Sequence, residues 1–111
     1  MKRTAVTGIG VVAPGGLDRK SFWALLTDGR TATRRISLFD PSQFRSQVAA
    51  ECDFDPLLSG LSPRDAARNA RFIQFALVAA AEAVAAPRLE FVGHEPPRAR
   101  VAWGRAPGCP P

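Results

Sequence analysis

The chain opens with its most strand-like hydrophobic run. Between Arg3 and Val12, six residues are β-branched, and the turn residues of Pro14–Gly16 follow directly. β-branched residues favour strands, whereas clusters of proline and glycine end them. The pattern therefore predicts a buried strand over Arg3–Val12, against which the later helices pack.

The next block has helical spacing. Asp18 is of the residue types that cap helix N-termini, and Gly29 stands where a C-terminal glycine is common. The apolar residues between them recur at helical intervals and predict one buried face: Phe22, Trp23, Leu25 and Leu26. The two aromatic residues either belong to the core or line a ligand site, and the core is the simpler interpretation.

A second helical region begins at Ser62. Ser62, Pro63 and Asp65 have the order of an N-cap, a first helical residue and an acidic capping partner. A break is expected at Asn69, followed by a helix over Arg71–Ala86.

The helix over Arg71–Ala86 is apolar nearly all round, which is typical of a helix buried in a core or at a subunit interface. Phe72, Phe75, Ala76 and Ala79 share one face, and Pro87 ends the helix. Glu82 is the only acid within it. A position at the rim of the buried face is favoured for Glu82 over a buried, paired one.

The remaining segments are less regular. Gly29–Arg35 is polar and basic, and it is either a solvated loop or a site for a phosphate group. A weak strand is expected near Gln47–Ala50, a loop over Arg88–Arg98 and a short strand over Ala99–Gly104. The Pro- and Gly-rich tail at Ala106–Pro111 fits neither a helix nor a central strand.

Composition narrows the class of protein. The chain has 111 residues, 46% hydrophobic and 23% charged, which fits one globular domain at most. The net charge of +5 comes from scattered arginines without interleaved aromatic residues, so no nucleic-acid partner is expected. The apolar runs are too short and too interrupted for a signal peptide or a membrane span. No membrane association is expected, and the cytoplasm is the default location.

One glycine motif has a possible ligand. The spacing Gly8-x-Gly10-x-x-Ala13 after a strand matches the dinucleotide-binding fingerprint. That mechanism requires a helix to open at once, so that its N-terminus holds a pyrophosphate. Pro14–Gly16 favours a loop there instead, and no second strand ending in an acid follows at the required distance. A strand-ending turn is therefore preferred, with a dinucleotide-binding half-domain kept as an alternative.

The cysteines and the histidine give no reactive site. Cys52 lies between Glu51 and Asp53, and neighbouring carboxylates disfavour a thiolate. Cys109 is followed by prolines, and His94 has no cysteine or second histidine nearby. We therefore assign no catalytic residue, no cofactor-binding residue and no metal ligand, and we expect no cofactor.

Several long segments, in order, resemble a known family. Arg3–Gly16 is similar to the opening of the β-ketoacyl synthases, the condensing enzymes of the thiolase superfamily. Other segments resemble the chain-elongating α subunit of bacterial type II aromatic polyketide synthases: Phe22–Ser37, Phe39–Ser42, Phe44–Glu51, Asp53–Pro56 and Gln74–Ala76. Asn69–Arg71 departs from the family's usual Met-Asp-Arg, so a carboxylate at the helix junction is missing.

The resemblance implies a fold and a function. The fold class would be α/β, the N-terminal part of a thiolase-like α/β/α/β/α layered fold that is incomplete in this chain. Residues 1–104 would form a partial synthase N-terminal domain, and residues 105–111 an irregular tail. The family joins an acyl chain held on a cysteine to malonyl-acyl-carrier-protein, with loss of carbon dioxide, in polyketide or fatty acid biosynthesis.

The same resemblance implies partners and a limit. An acyl carrier protein and a ketosynthase partner subunit are expected for a complete family member. The family's nucleophilic cysteine and two histidines have no counterpart among these residues, so the chain is expected to be inactive alone and poorly folded. The alternative function is a small interaction protein that docks on an intact synthase subunit through the helix at residues 71–86.

Overall fold

The structure is a computed structural model that describes residues 3–86, 102 and 104. Its elements in chain order are α1 (Arg19–Thr27), β1 (Thr33–Arg35), β2 (Val48–Ala50), α2 (Pro63–Arg68) and α3 (Arg71–Ala85). The expected loop at Arg88–Arg98 and the Pro- and Gly-rich tail lie outside the described residues. So does the expected strand at Ala99–Gly104, apart from Ala102 and Gly104, neither of which is in a strand.

Helix α1 begins and ends where the sequence predicts. The Asp18 carboxylate accepts a hydrogen bond from the Ser21 backbone N–H at 2.8 Å, and Ser21 completes a capping box. Asp28 is the C-cap, and Gly29 follows with a φ of 64°, a conformation that glycine adopts at low cost.

Helix α2 also begins as predicted, with one difference in its cap. The Ser62 hydroxyl accepts from the Asp65 backbone N–H at 3.1 Å, and Pro63 is the first helical residue. The Asp65 carboxylate accepts the Ser62 hydroxyl proton at 2.7 Å. The predicted pairing is therefore present between the two side chains, although a capping box would direct the acid to the Ser62 backbone.

The predicted break at Asn69 is confirmed, and a buried glutamine holds it. Gln74 Nε2 donates to the carbonyl oxygens of Ala66 at 2.8 Å and Asn69 at 2.9 Å, so it satisfies acceptors at the end of α2. Helix α3 begins at Arg71 as predicted, but its N-cap residue Ala70 offers no side-chain hydrogen bond.

The predicted strand at Arg3–Val12 is not formed among the described residues. The nearest pairing there is the isolated bridge between Ala13 and Gly16, which closes the Pro-Gly turn. A strand needs a neighbour to bond with, and the described residues supply none for this segment. The segment instead packs on α3, where a Cβ at Gly10 would overlap the Ala79 carbonyl and come within 2.9 Å of the Ala83 nitrogen.

The described sheet is a two-stranded antiparallel pair. β1 and β2 align Thr33 with Ala50 and Arg35 with Val48. The predicted strand near Gln47–Ala50 is thus confirmed as β2. The prediction of a loop over Gly29–Arg35 was wrong for its last residues, because β2 provides a pairing partner that their polar, basic composition does not reveal.

The described structure buries little apolar surface. Leu25 and Phe54 are its buried hydrophobic residues, and the Phe54 ring meets Phe75 edge to face with centroids 4.8 Å apart. The expectation that Trp23 belongs to the core was wrong here, since Trp23 is 66% exposed. The described elements are a mixture of helices and strands with one small sheet. They agree with the predicted α/β class in this coarse sense, and the predicted layers are not observed among them.

Glu82 connects three elements. It is half-buried, and its carboxylate accepts hydrogen bonds from the Val11 and Arg19 backbone N–H groups, each at 2.9 Å. The rim position predicted for Glu82 agrees with its half-buried side chain. The two hydrogen bonds could not be predicted from the sequence. Through them α3 holds both the first segment and the first residue of α1.

We predict that Glu82→Ala destabilises the chain. The substitution leaves two amide donors without their charged acceptor, and hydrogen bonds to charged groups contribute about 1.5–3 kcal/mol each at most. The measurement is the free energy of unfolding from urea denaturation followed by circular dichroism. Glu82→Gln, which keeps one acceptor oxygen, should lie between the two proteins, and equal midpoints for Glu82→Ala and the parent would contradict the prediction.

We also predict that Ala70→Asp stabilises the chain. A carboxylate at the N-cap would accept from the uncapped first turn of α3, a change that contributes about 0.5–2 kcal/mol in other helices. Urea denaturation measures the gain. The matched control is Ala85→Asp at the opposite end of α3, where the helix dipole makes the same charge unfavourable. A loss of stability in both variants would disprove the capping effect.

Candidate functional site

The glycine-rich turn has the wrong geometry for the dinucleotide motif. Helix α1 begins at Arg19 and not directly after Ala13. Its first amide groups are already bonded, Arg19 N–H to Glu82 and Ser21 N–H to Asp18. An incoming phosphate would meet these two carboxylates instead of free N–H groups, so the arrangement disfavours an anion here.

The hydrogen bonds of Asp18 strengthen this conclusion. The backbone N–H of Ser21, and next its hydroxyl, hold the pKa of the Asp18 carboxyl below its usual value, so the group stays ionised. Position 10 of the motif requires a glycine, because a Cβ there would overlap the backbone carbonyl of Ala79. Packing against α3 therefore explains the glycine at position 10 without a ligand.

Two of the three arginines in the basic segment after α1 pair with acids. Arg30 lies 3.3 Å from Asp28, and Arg34 donates to Asp53 at 2.7 Å and to Glu51 at 3.2 Å. The hydrogen bond that Arg34 donates to Asp53, followed by the one it donates to Glu51, raises the pKa of the Arg34 guanidinium. Arg34 is thus committed to internal pairs, which weakens the interpretation of Gly29–Arg35 as a phosphate site.

Glu51 is the centre of the described charged cluster. Its buried carboxylate accepts from the Ser37 hydroxyl at 2.7 Å, the Ser37 N–H at 3.0 Å, the Leu38 N–H at 3.2 Å and Arg34. The Ser37 hydroxyl, the Ser37 N–H and then the Leu38 N–H lower the pKa of Glu51 to about 2. The cluster joins β1, β2 and the residues after each strand, and its bonds leave the carboxylate little capacity as a general base.

Sequence reasoning missed this cluster, although it considered two of its members. In the sequence, Glu51 and Asp53 flank Cys52, and this position indicates only their effect on the thiol. Two acids spaced by two residues beside a strand share one face, and a basic residue in a paired strand can reach both. That signal becomes usable only once Gly29–Arg35 is known to contain a strand.

Cys52 is a free, half-buried thiol. Burial raises its pKa, the nearby Arg71 charge partly opposes this, and Asp53 adds to the rise. The thiol is accordingly a weak nucleophile, as its flanking acids predict. Cys109 and His94, the other two residues considered for chemistry, lie outside the described residues.

The Arg71 side chain packs beside Cys52. Its guanidinium donates to the Cys52 carbonyl at 2.9 Å and lies over the Phe54 and Phe75 rings, 5.7 and 5.2 Å from their centroids. Cation–π contacts of this kind add modest stability to a packed pair of rings. Arg71 therefore fixes the connector after β2 onto the start of α3.

Residues 3–86, 102 and 104 hold neither a metal-binding cluster nor a membrane-spanning helix. No group of three or more His, Cys, Asp and Glu side chains there has a metal-binding arrangement. Over the same residues, none of the helices is both long and apolar enough to cross a membrane. The charged and polar side chains described above thus form networks that hold the described elements together.

Comparison with known proteins identifies a family. The family described as "Beta-ketoacyl synthase, N-terminal domain" matches residues 1–104. A protein of Streptomyces cyaneus named as a polyketide beta-ketoacyl synthase 1 is 58% identical over 107 residues, which cover 96% of this chain and 25% of the relative.

Two other relatives extend the comparison. The tetracenomycin polyketide synthase ketoacyl synthase alpha subunit of Streptomyces glaucescens is 52% identical, over 97% of this chain and 25% of its own length. The 3-oxoacyl-[acyl-carrier-protein] synthase 2 of Coxiella burnetii is 37% identical, over 99% of this chain and 27% of its own. The chain therefore spans about a quarter of the length of the curated relatives it matches.

The Glu51 cluster predicts a particular acid sensitivity. The pKa of the Glu51 carboxyl is about 2 in the folded protein, against an ordinary 4.5. The ionised carboxylate therefore makes its full contribution to stability at pH values above about 4.5. That contribution is lost as the pH falls from about 4.5 through about 2, because the unfolded chain takes up the proton first. The measurement is the free energy of urea unfolding from pH 7 to pH 2.

Glu51→Gln isolates this effect from the other acids. The difference in stability between the parent and Glu51→Gln should be constant above pH 5 or so and should shrink below it. A difference that stays constant down to pH 2 would contradict the assignment of the lowered pKa to Glu51.

Proposed function

The chain belongs to the β-ketoacyl synthase N-terminal domain family, and from this we propose that it supplies the N-terminal part of a β-ketoacyl-[acyl-carrier-protein] synthase. The match over residues 1–104 is the observation that carries the proposal. The names of the Streptomyces relatives favour polyketide biosynthesis, and fatty acid biosynthesis remains the second pathway class.

The proposed reaction is a decarboxylative Claisen condensation. A malonyl thioester on the acyl carrier protein loses carbon dioxide, and the resulting carbanion attacks an acyl thioester held on a cysteine. The new carbon–carbon bond forms as the cysteine thiolate leaves. None of these steps is assigned to a residue of this chain: the thiol of Cys52 has a raised pKa, and the carboxylates of Glu51 and Glu82 are occupied by structural hydrogen bonds.

The contribution proposed for this chain is structural. Residues 1–104 would form the partial domain of a layered α/β/α/β/α fold, with residues 105–111 as an irregular tail. Glu82 and Gly10 hold the first segment on α3, so that segment and α1 reach the rest of the enzyme as one unit. The partners proposed for the complete enzyme are an acyl carrier protein and a ketosynthase partner subunit, in the cytoplasm.

We expect the 111-residue chain to be inactive alone. The described residues bury two hydrophobic side chains, Leu25 and Phe54, and leave large ones such as Val6 and Trp23 exposed. A domain with so small a core is marginally stable, because burial of apolar surface is the main force that opposes chain entropy.

An exposed apolar surface on α3 supports a second candidate function, that of a small interaction protein. The outer side of α3 exposes Leu77 and Val84 beside its alanines. Through this surface the chain would dock on an intact synthase subunit as a small interaction protein.

A chimera tests the first proposal. This chain replaces the aligned quarter of the S. glaucescens alpha subunit, and chain elongation is assayed with the partner subunit, the carrier protein and malonyl thioester. We expect elongation by the chimera, none by the isolated chain, and none by the relative with that quarter deleted. A folded chimera without activity would refute the proposal.

A co-purification in the same system addresses the second function. Retention of the intact alpha subunit by the tagged 111-residue chain, lost when Leu77 is replaced by Lys, would favour the interaction protein. The absence of retention under gentle conditions would remove it.

A further inference from the structure

Only two residues separate helix α2 from helix α3. Asn69 has a φ of −109° and a ψ of 136°, and Ala70 has a φ of −61° and a ψ of 153°. Both φ values are negative, and helical residues differ from these two mainly in ψ, which is about −42° in an α-helix. Rotation of ψ at Asn69 and Ala70 would therefore join the two helices into one.

The sequence at the junction is compatible with a continuous helix. Sharp breaks usually coincide with proline, with glycine, or with a side chain that enters the backbone hydrogen-bond ladder. Residues 66–74 contain no proline or glycine, and alanine and arginine make up most of them. Asn69 marks the break, but asparagine lowers helix propensity only modestly. Ala70 also gives α3 no side-chain bond at its N-cap, so a further contact must hold the break.

The side chain of Gln74 supplies that contact. It is 8% exposed, and its Nε2 atom donates to the carbonyl oxygens of Ala66 at 2.8 Å and Asn69 at 2.9 Å. In a continuous helix, the Ala66 carbonyl would accept from the Ala70 N–H. The Asn69 carbonyl would likewise accept from the Ile73 N–H. Gln74 thus occupies two acceptors that the backbone of a continuous helix would use.

Helix α2 has room to change direction. None of its residues is buried, so its movement would uncover little apolar surface. Before its N-cap, Gly60 has a φ of 89°, and a Cβ there would meet no described atom within 4 Å apart from its chain neighbours. Glycine adopts many backbone conformations, so Gly60 can absorb a rotation at this end. α2 is therefore a short helix between two points at which the backbone can turn.

We propose that the α2–α3 junction is a two-state hinge. Gln74 latches the broken form, and the other form is one continuous helix over residues 63–85. Arg71 holds α3 in both forms, because it donates to the Cys52 carbonyl at 2.9 Å and lies over the Phe54 ring. α2 is the part that changes direction. A ligand that contacts α2 in one direction shifts the hinge by its difference in affinity for the two forms.

Gln74→Met in the 111-residue chain tests the latch. Methionine is of similar length and favours helices, but it has no N–H to donate to the Ala66 and Asn69 carbonyls. We expect the population of the continuous form to rise at least about tenfold, the order of effect that the loss of two neutral hydrogen bonds has on an equilibrium. The Cα NMR chemical shifts of Asn69 and Ala70 measure this population, because they move from extended towards helical values.

Two further substitutions separate hinge movement from a general loss of stability. Gln43→Met, at an exposed glutamine outside the helices, is the matched control and should leave both chemical shifts unchanged. Ala70→Pro locks the broken form, since the φ of Ala70 and the extended Asn69 before it both suit proline. Proline within a continuous helix would remove an N–H and clash with the preceding turn. Added to Gln74→Met, it should return the Asn69 shift to its extended value.

The results decide between a hinge and a fixed break. Helical shifts in Gln74→Met that Ala70→Pro reverses would support the hinge. Extended shifts in a folded Gln74→Met chain would overturn it, and so would random-coil shifts in the parent, where neither form would then exist. If Gln74→Met does not fold, Asn69→Ala decides, because it raises helix propensity at the break and leaves the Gln74 side chain in place. An Ala70 shift equal to that of the parent would then overturn the hinge.

Discussion

The described structure depends on one carboxylate. Glu82 accepts the backbone N–H groups of Val11 and Arg19, which lie in separate elements and far from it in sequence. Without this link, the first segment would be attached to α3 mainly through the close contact at Gly10. A charged acceptor is well suited to this position because it satisfies two amides at once, one of them at a helix N-terminus.

A second carboxylate organises the other half of the described chain. Glu51 gathers bonds from the residues after β1, while Asp53 and Glu51 share Arg34. The short sheet has exposed strands and little apolar cover, so these polar contacts add to its backbone pairing where a core does not. The carboxylates of Glu82 and Glu51 thus connect segments that are distant in sequence. In larger domains, a hydrophobic core holds such segments together.

Local signals in the sequence were sufficient for the helices. Asp18, Ser62 with Pro63, and the break at Asn69 act within one turn of chain, and each appears in the structure where it was predicted. Long-range features could not be predicted in this way. The strand at Thr33–Arg35 exists because of its partner, the expected strand at Arg3–Val12 lacks one among the described residues, and Glu82 and Glu51 bond to groups 13 to 71 residues away. The family resemblance, carried by whole segments, was confirmed by comparison.

The exposed aromatic and aliphatic side chains along the first segment and α1 matter for protein synthesis. In a polypeptide of the relatives' length, this quarter leaves the ribosome first, and the rest takes on the order of tens of seconds to translate at about 5–20 residues per second. During that interval Val6 and Trp23 face solvent with no later residue available to cover them. Nascent chains of that length would therefore expose this apolar surface to solvent until later residues have been made.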